Sequence, residues 1–384
     1  MHFSANLTGT TEPMSDKKNL GLYIHVPFCA VKCPYCDFYS VSYSRRNENL
    51  YTDAVIRNLE RYSCLCKDRK VDTIYFGGGT PSLLSAQSVR KILFSTFKLF
   101  NVENSAEITM EANPDTLTAA KLHEFYSFGI NRLSTGIQSL DDNELLKLGR
   151  KHSSAKAQKA VNMAYDAGFS NISCDIMLGI CGQTPESLNS TLEKLVKLPI
   201  KHISAYMLKI EPDTPFAENE NIIKNLPDDD QFADMYLDTV EFLENHGFKQ
   251  YEISNFSENG FESRHNLKYW LCEEYIGIAP SAHSFFNGKR YYVPPELIKF
   301  TDEQFQTEII NEQNPADFEE KAMLRLRLKN GLPLDMCGEK KDSIIKKAGY
   351  LKKEGLADLN SNAVFLTPEG FLVSNQIIEY LIMD

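Results

Sequence analysis

The stretch "HVPFCAVKCPYCDFYS", His25 to Ser40, places cysteines at positions 29, 33 and 36 and a phenylalanine at 38. A closed zinc or iron–sulfur site normally takes four protein ligands. Three thiolates within eight residues can hold three irons of a [4Fe–4S] cluster. The fourth iron is then open to an external chelator, for which the amino and carboxylate groups of an amino acid are suited. The competing reading is a zinc site of Cys29, Cys33, Cys36 and His25. The aromatics that crowd this loop, and a glycine-rich partner loop downstream, favour the cluster.

Around this loop, short apolar runs alternate with helical patterns from Gly21 to about Met207, the rhythm of a parallel sheet wrapped by crossover helices. Six strand candidates begin at Leu22, Asp72, Glu107, Arg132, Asn171 and His202. Helical spacing marks the segments from Tyr51, Ser85 and Thr116; Thr116 and Thr118 are candidate caps, Pro185 opens a further helix, and Gly129 and Gly168 follow helix ends. Six βα units predict an incomplete (βα)6 barrel of the TIM type. Polar residues collect at its strand ends: Gly77-Gly78-Gly79-Thr80-Pro81 after the second strand, Glu111 on the third, Gln138 on the fourth and Asp175 in the fifth. Four strands offering polar groups at one end point to one ligand.

The predicted division is a polar tail over 1–19, the barrel with its extension over 20–299, and a smaller C-terminal α+β unit over 300–384. In the last, a helix from about Ala316, another from Asp342, a hairpin and a final helix resemble a winged-helix module. With a formal net charge of -11, the chain lacks the cationic balance of a phosphate-backbone binder, so no nucleic-acid partner is expected. The first 19 residues carry no apolar run of signal-peptide length, and no run approaches the roughly 18 uncharged apolar residues of a membrane span. The expected location is cytoplasmic, and the Asn6-Leu7-Thr8 sequon is then without meaning. Nine scattered cysteines are not a disulfide framework; Cys64, Cys66, Cys174, Cys181, Cys272 and Cys337 read as structural.

The CxxxCxxC loop with Tyr23, His25 and Tyr35, followed by the GGGTP loop, resembles the radical S-adenosylmethionine (SAM) superfamily. Within it, "YIHVPFC", "CPYC", "YFGGGTPS", "EANPD", "RLSTGIQS" and "GRKH" resemble the oxygen-independent coproporphyrinogen III oxidase family from about Gly21 to Phe371. The resemblance implies that Cys29, Cys33 and Cys36 ligate a [4Fe–4S] cluster. It implies likewise that Tyr23, Gly78, Gly79, Thr80, Glu111, Gln138, Arg150 and Asp175 contact SAM. Glycine backbone lets a ligand approach closely, carboxylates suit a sulfonium, amine or ribose, and arginine suits a carboxylate.

Oxidase members of that family carry a further cysteine two residues after the third, where this chain has Phe38, which can neither ligate nor pass a proton. In this respect the chain resembles the haem-chaperone branch, as does "HNLKYW", His265 to Trp270. The resemblance implies haem as a further ligand and acceptor haemoproteins as partners. His265 is the candidate axial ligand, Tyr269 and Trp270 offer flat apolar surface, and Arg264 could meet a propionate. His283, in "GIAPSAHS", is the competing ligand. The alternative function is a radical SAM enzyme acting on a tetrapyrrole. The acceptor is left open, a membrane-associated one included, and an open iron site beside exposed aromatics leaves room for a cluster-dependent homodimer.

Overall fold

A computed structural model describes residues 19–302, 308–313 and 315–383. The expected polar tail lies outside these residues except for Asn19, which already belongs to the first strand. Six parallel strands form the centre: β1 (Asn19–Val26), β2 (Lys70–Gly78), β3 (Val102–Ala112), β4 (Arg132–Gln138), β5 (Asn171–Leu178) and β6 (His202–Met207). Each pairs in parallel with the next in chain order. Crossover helices α1 (Arg45–Ser63), α2 (Ala86–Leu99), α3 (Ala119–Ser127), α4 (Ser154–Asp166) and α5 (Pro185–Leu195) return the chain between them. Their starts are set by side chains that accept from orphan amides: Ser44, Ser85, Thr118, Ser153 and Thr184.

The sheet does not stop at six strands. Helix α6 (Asp229–Asn245) leads to β7 (Lys249–Glu252) and β8 (Asn255–Ser257), which extend it antiparallel beyond β6. After α7 (Arg264–Leu271), β9 (Tyr275–Ile278) pairs in parallel with the other side of β1. Strands β10 (His283–Phe286), β11 (Lys289–Tyr292) and β12 (Ile309–Gln313) follow antiparallel. The resulting order is β12-β11-β10-β9-β1-β2-β3-β4-β5-β6-β8-β7, an open curved sheet of 12 strands. The division expected at residue 299 therefore cuts through the extension, because β12 lies beyond it. The expected extension thus consists of strands that the sequence reading did not place, because at three to five residues each they carry little period-two signal.

Beyond it, α8 (Phe318–Arg325), β13 (Leu332–Pro333), α9 (Lys341–Lys353), the hairpin β14 (Ala357–Leu359) and β15 (Ala363–Leu366), and α10 (Ser374–Ile382) form a separate three-stranded sheet with helices. Among the described residues, no helix is long and apolar enough to cross a membrane.

Strand alternation sorts the barrel's two faces. Leu20, Leu22, Ile24 and Val26 of β1, and Leu133 and Ile137 of β4, are buried in the apolar core with the helices. The intervening residues point inward and are polar: Tyr23 and His25, then Arg132, Ser134 and Gln138. Polar side chains in such an interior require partners, and α7 supplies them for Glu107, Asp72 and Thr73. The Glu107 carboxylate accepts from the first amides of α7, Arg264 and His265, both at 3.2 Å, where the helix dipole favours an anion. Lys268, 2% exposed, bonds Asp72 at 2.9 Å and Glu273 at 3.0 Å. Helix α7 thereby lies across the opening ends of β1, β2 and β3 as a plug.

Removing one partner of a buried pair leaves an uncompensated charge. Lys268→Met should cost about 3 kcal/mol in denaturant unfolding, and Asp72→Leu/Lys268→Met should recover most of it. An unchanged midpoint in the single variant would remove α7's anchoring role.

Candidate functional site

At the other end of the strands lies a cavity of about 410 Å³, lined by Cys29, Cys33 and Cys36, by Gly78, Gly79 and Thr80, and by Glu111, Gln138, Arg150 and Asp175. The cysteine loop is tied down at several points. Phe28 and Cys29 pair with Val41 and Ser42, and Cys36 N–H donates to the Cys33 carbonyl at 3.1 Å. The amides of Gly79 and Thr80 donate to the carbonyls of Val26 (2.9 Å) and Phe28 (2.8 Å). This close approach explains the glycines. A Cβ on Gly77 would meet the Tyr23 ring at 2.8 Å, one on Gly78 the His25 ring at 2.6 Å, and one on Gly79 the Phe28 carbonyl at 2.8 Å. Gly78 moreover has φ of 109°, in the region that favours glycine.

Arg150 links the loop to β4: its Nη2 donates to the Gly136 carbonyl at 2.7 Å, and its Nη1 reaches Cys33 Sγ (3.5 Å) and the Tyr35 hydroxyl (3.4 Å). Its buried Nε has no hydrogen-bond partner. Gln138 ends β4 at φ of 65° after a register shift, a left-handed conformation that costs a non-glycine residue roughly 1–3 kcal/mol and is found at functional sites. Glu111 accepts from the Tyr75 hydroxyl at 2.8 Å and from Gly78 N–H at 3.0 Å. Burial, with the Asp175 charge adding, nevertheless raises its pKa to about 7. Asp175 accepts from Ser134 at 3.1 Å, and burial raises its pKa also.

The structure thus gathers the expected SAM contacts with one exception. Tyr23 is not on the cavity wall; its hydroxyl bonds His25 Nδ1 at 3.0 Å, and its ring stacks on Tyr75, which does line the cavity. Arg132 was missed. It is 1% exposed and lines the cavity with Nε and Nη1 lacking hydrogen-bond partners. The sequence signal was available: a charged residue in phase with Ser134, Gly136 and Gln138 on the inner face of a strand.

The expectation for His265 needs correction. Its ring is fully buried, with Nδ1 bonded to Thr73 at 2.8 Å and Nε2 to Tyr269 at 2.9 Å, and it stacks on Tyr75. Both nitrogens are engaged, so neither is open to an iron. The HNLKYW segment reads locally as a ligand motif but folds as the plug α7, and only Asn266 of it reaches the cavity.

The donor set fits an iron–sulfur cluster with an amino-acid chelator better than zinc. Three half-buried thiols face a wall of backbone and polar groups, with the unpartnered Arg150 Nε beside Cys33. His25 cannot complete a zinc shell, because its nitrogens face Tyr23 and the Tyr39 carbonyl.

The Radical SAM superfamily model matches residues 23–195, from the strand before the cysteine loop to the end of α5. The heme chaperone HemW of Haemophilus influenzae is 33% identical over 388 residues, covering 95% of this chain and 98% of the relative. The chain belongs to the HemW family of radical SAM proteins. HemW of Bacillus subtilis is likewise 33% identical, over 92% of this chain and 97% of its own length. Among solved structures, coproporphyrinogen III oxidase (HemN) from Escherichia coli, described as a radical SAM enzyme, superposes with a TM-score of 0.81 at 22% identity, covering 96% of this chain and 91% of that one. That likeness establishes the shared fold, the incomplete barrel with its C-terminal unit. Phe38, which the HemW-family reading singled out, lies at the cavity mouth and is 62% exposed.

The raised Glu111 pKa has a measurable consequence. Between the ordinary carboxylate range and about 7, the folded chain keeps a proton that the unfolded chain releases, so this group's contribution to stability falls as pH rises through that window. Glu111→Gln should flatten that part of the stability profile in denaturant melts between pH 5 and pH 7.5. A variant with the parent's slope would place the titration elsewhere.

Proposed function

We propose that this chain is a haem chaperone: it holds a [4Fe–4S] cluster and SAM in the cavity, binds haem, and delivers it to acceptor haemoproteins in the cytoplasm. The observation that carries this reading is Phe38 at the mouth of an otherwise complete radical SAM cavity, where a thiol would serve porphyrinogen decarboxylation. The full-length relatives described as heme chaperones support it.

Cys29, Cys33 and Cys36 are the cluster ligands in this reading. A cluster held there would supply one-electron reducing chemistry toward a SAM bound at its open iron. The chain's own residues bind and orient. Gly78, Gly79 and Thr80, whose amides are taken by Glu111, Val26 and Phe28, offer carbonyls and close approach to the amino-acid moiety, Arg150 offers its unpartnered Nε to a carboxylate, and Glu111, Gln138 and Asp175 meet the amine or ribose hydroxyls. Helix α7 closes the base and keeps bulk water from that side, while exposed Phe38 gives the mouth an apolar surface. A dimer that depends on the cluster belongs to the same reading and would appear as a doubled mass in sedimentation after reconstitution.

Haem titration of the anaerobically reconstituted protein should give a saturable, one-to-one Soret change, and the bound haem should move to an added apo-haemoprotein. Conversion of coproporphyrinogen III to protoporphyrinogen IX with SAM and a reductant, at a useful rate, would contradict the proposal and return the chain to the enzymes.

A further inference from the structure

A haem chaperone needs a group that can take and release the iron, and most of the histidines of this chain are already committed. Of the eight, seven lie among the described residues. His25, His202 and His265 are buried with both ring nitrogens in contacts: Tyr23 and the Tyr39 carbonyl, Ser173 and Tyr251, and Thr73 and Tyr269. His152 is 3% exposed, with Nε2 on the Ile137 carbonyl. His246 is bonded to the Phe242 carbonyl and stacked on its ring at 4.1 Å, on the outer end of α6. His123 is exposed on α3 and does not line the cavity.

His283 differs in lying on the sheet extension next to β1, the strand that leads into the cysteine loop. It opens β10, is exposed, and among the described residues makes no hydrogen bond through either ring nitrogen. Its ring is held by stacking on Tyr292, its partner in the β10–β11 register, at 5.5 Å and 21°. Its backbone is held too: a Cβ on Gly277 would lie 2.1 Å from the His283 carbonyl. The preceding turn is locked by mutual bonds of Ser281 and Ala282 with Val293, at 2.8 and 2.9 Å. The imidazole therefore projects from a rigid support, as a metal ligand should.

Strand pairing sets it beside the element that leads to the cavity. Strand β9, which carries the turn, pairs with β1, and β1 leads into the cysteine loop. Tyr39, next to exposed Phe38, turns its carbonyl to His25 and accepts from Leu297 N–H at 3.0 Å, which pins the Phe38 segment against the same sheet extension. His25 and His283 are near enough that a proton on one disfavours a proton on the other. Neutral imidazole is the form that ligates iron.

We propose that His283 is the axial ligand of the haem iron, with His265 confined to the plug. The assignment rests on the haem-binding reading above. Ferric haem titration of the reconstituted full chain and of His283→Ala tests it; the side chain is exposed, and the variant's melting midpoint, measured alongside, should match the parent's. The variant should bind at least tenfold more weakly and lose the imidazole-ligated Soret position, and added free imidazole should restore that position. A variant with the parent's affinity and spectrum would overturn the assignment while leaving haem binding in place. A parent protein that takes up no haem would overturn both.

Discussion

The whole site depends on the absence of side-chain volume at Gly77, Gly78 and Gly79. The end of β2 passes so close to the exit of β1 that any Cβ there would strike Tyr23, His25 or the Phe28 carbonyl. Because the approach is close, the amides of Gly79 and Thr80 reach the carbonyls of Val26 and Phe28. The cysteine loop is consequently clamped between two strands rather than left as a free excursion. Fixing thiols in this way removes ordering entropy that a ligand would otherwise have to offset.

A polar barrel interior is the second consequence of the design. Inward-facing Glu107, Asp175 and His202 would be costly if unpaired; Ser134 bonds Asp175, Ser173 and Tyr251 bond His202, and Glu107 is met by α7. Its amides engage Glu107, Lys268 engages Asp72, and His265 fills the space beneath Tyr75. Tyr75 in turn donates to Glu111 on the cavity wall. Plug and cavity thus share one aromatic residue, and the same contacts that close the base orient a carboxylate of the site.

Much of this was legible in the residues. Cysteine spacing, three consecutive glycines after a strand, and polar residues at four strand ends are local signals with a physical cause, and they located the cavity. The six central strands were legible because each is long and apolar on its helix-facing side. Tertiary context decided the rest. HNLKYW has the composition of a ligand motif, and nothing local shows that Thr73 and Tyr269 occupy the imidazole of His265. Tyr23 and Arg132 exchanged importance for a similar reason: whether an inward residue meets the cavity or a neighbour depends on register and on side-chain length. The strands beyond β6 and β9 were too short for periodicity to reveal.

In the proposed reading, the cavity holds a cluster whose open iron is met by SAM. Electron paramagnetic resonance of the reconstituted, reduced protein, with and without SAM, addresses it most directly. A [4Fe–4S] signal that shifts on addition of SAM, and that disappears in Cys33→Ala, is the result the account predicts. A signal indifferent to SAM, or protein that retains zinc and takes up neither iron nor sulfide, would contradict it.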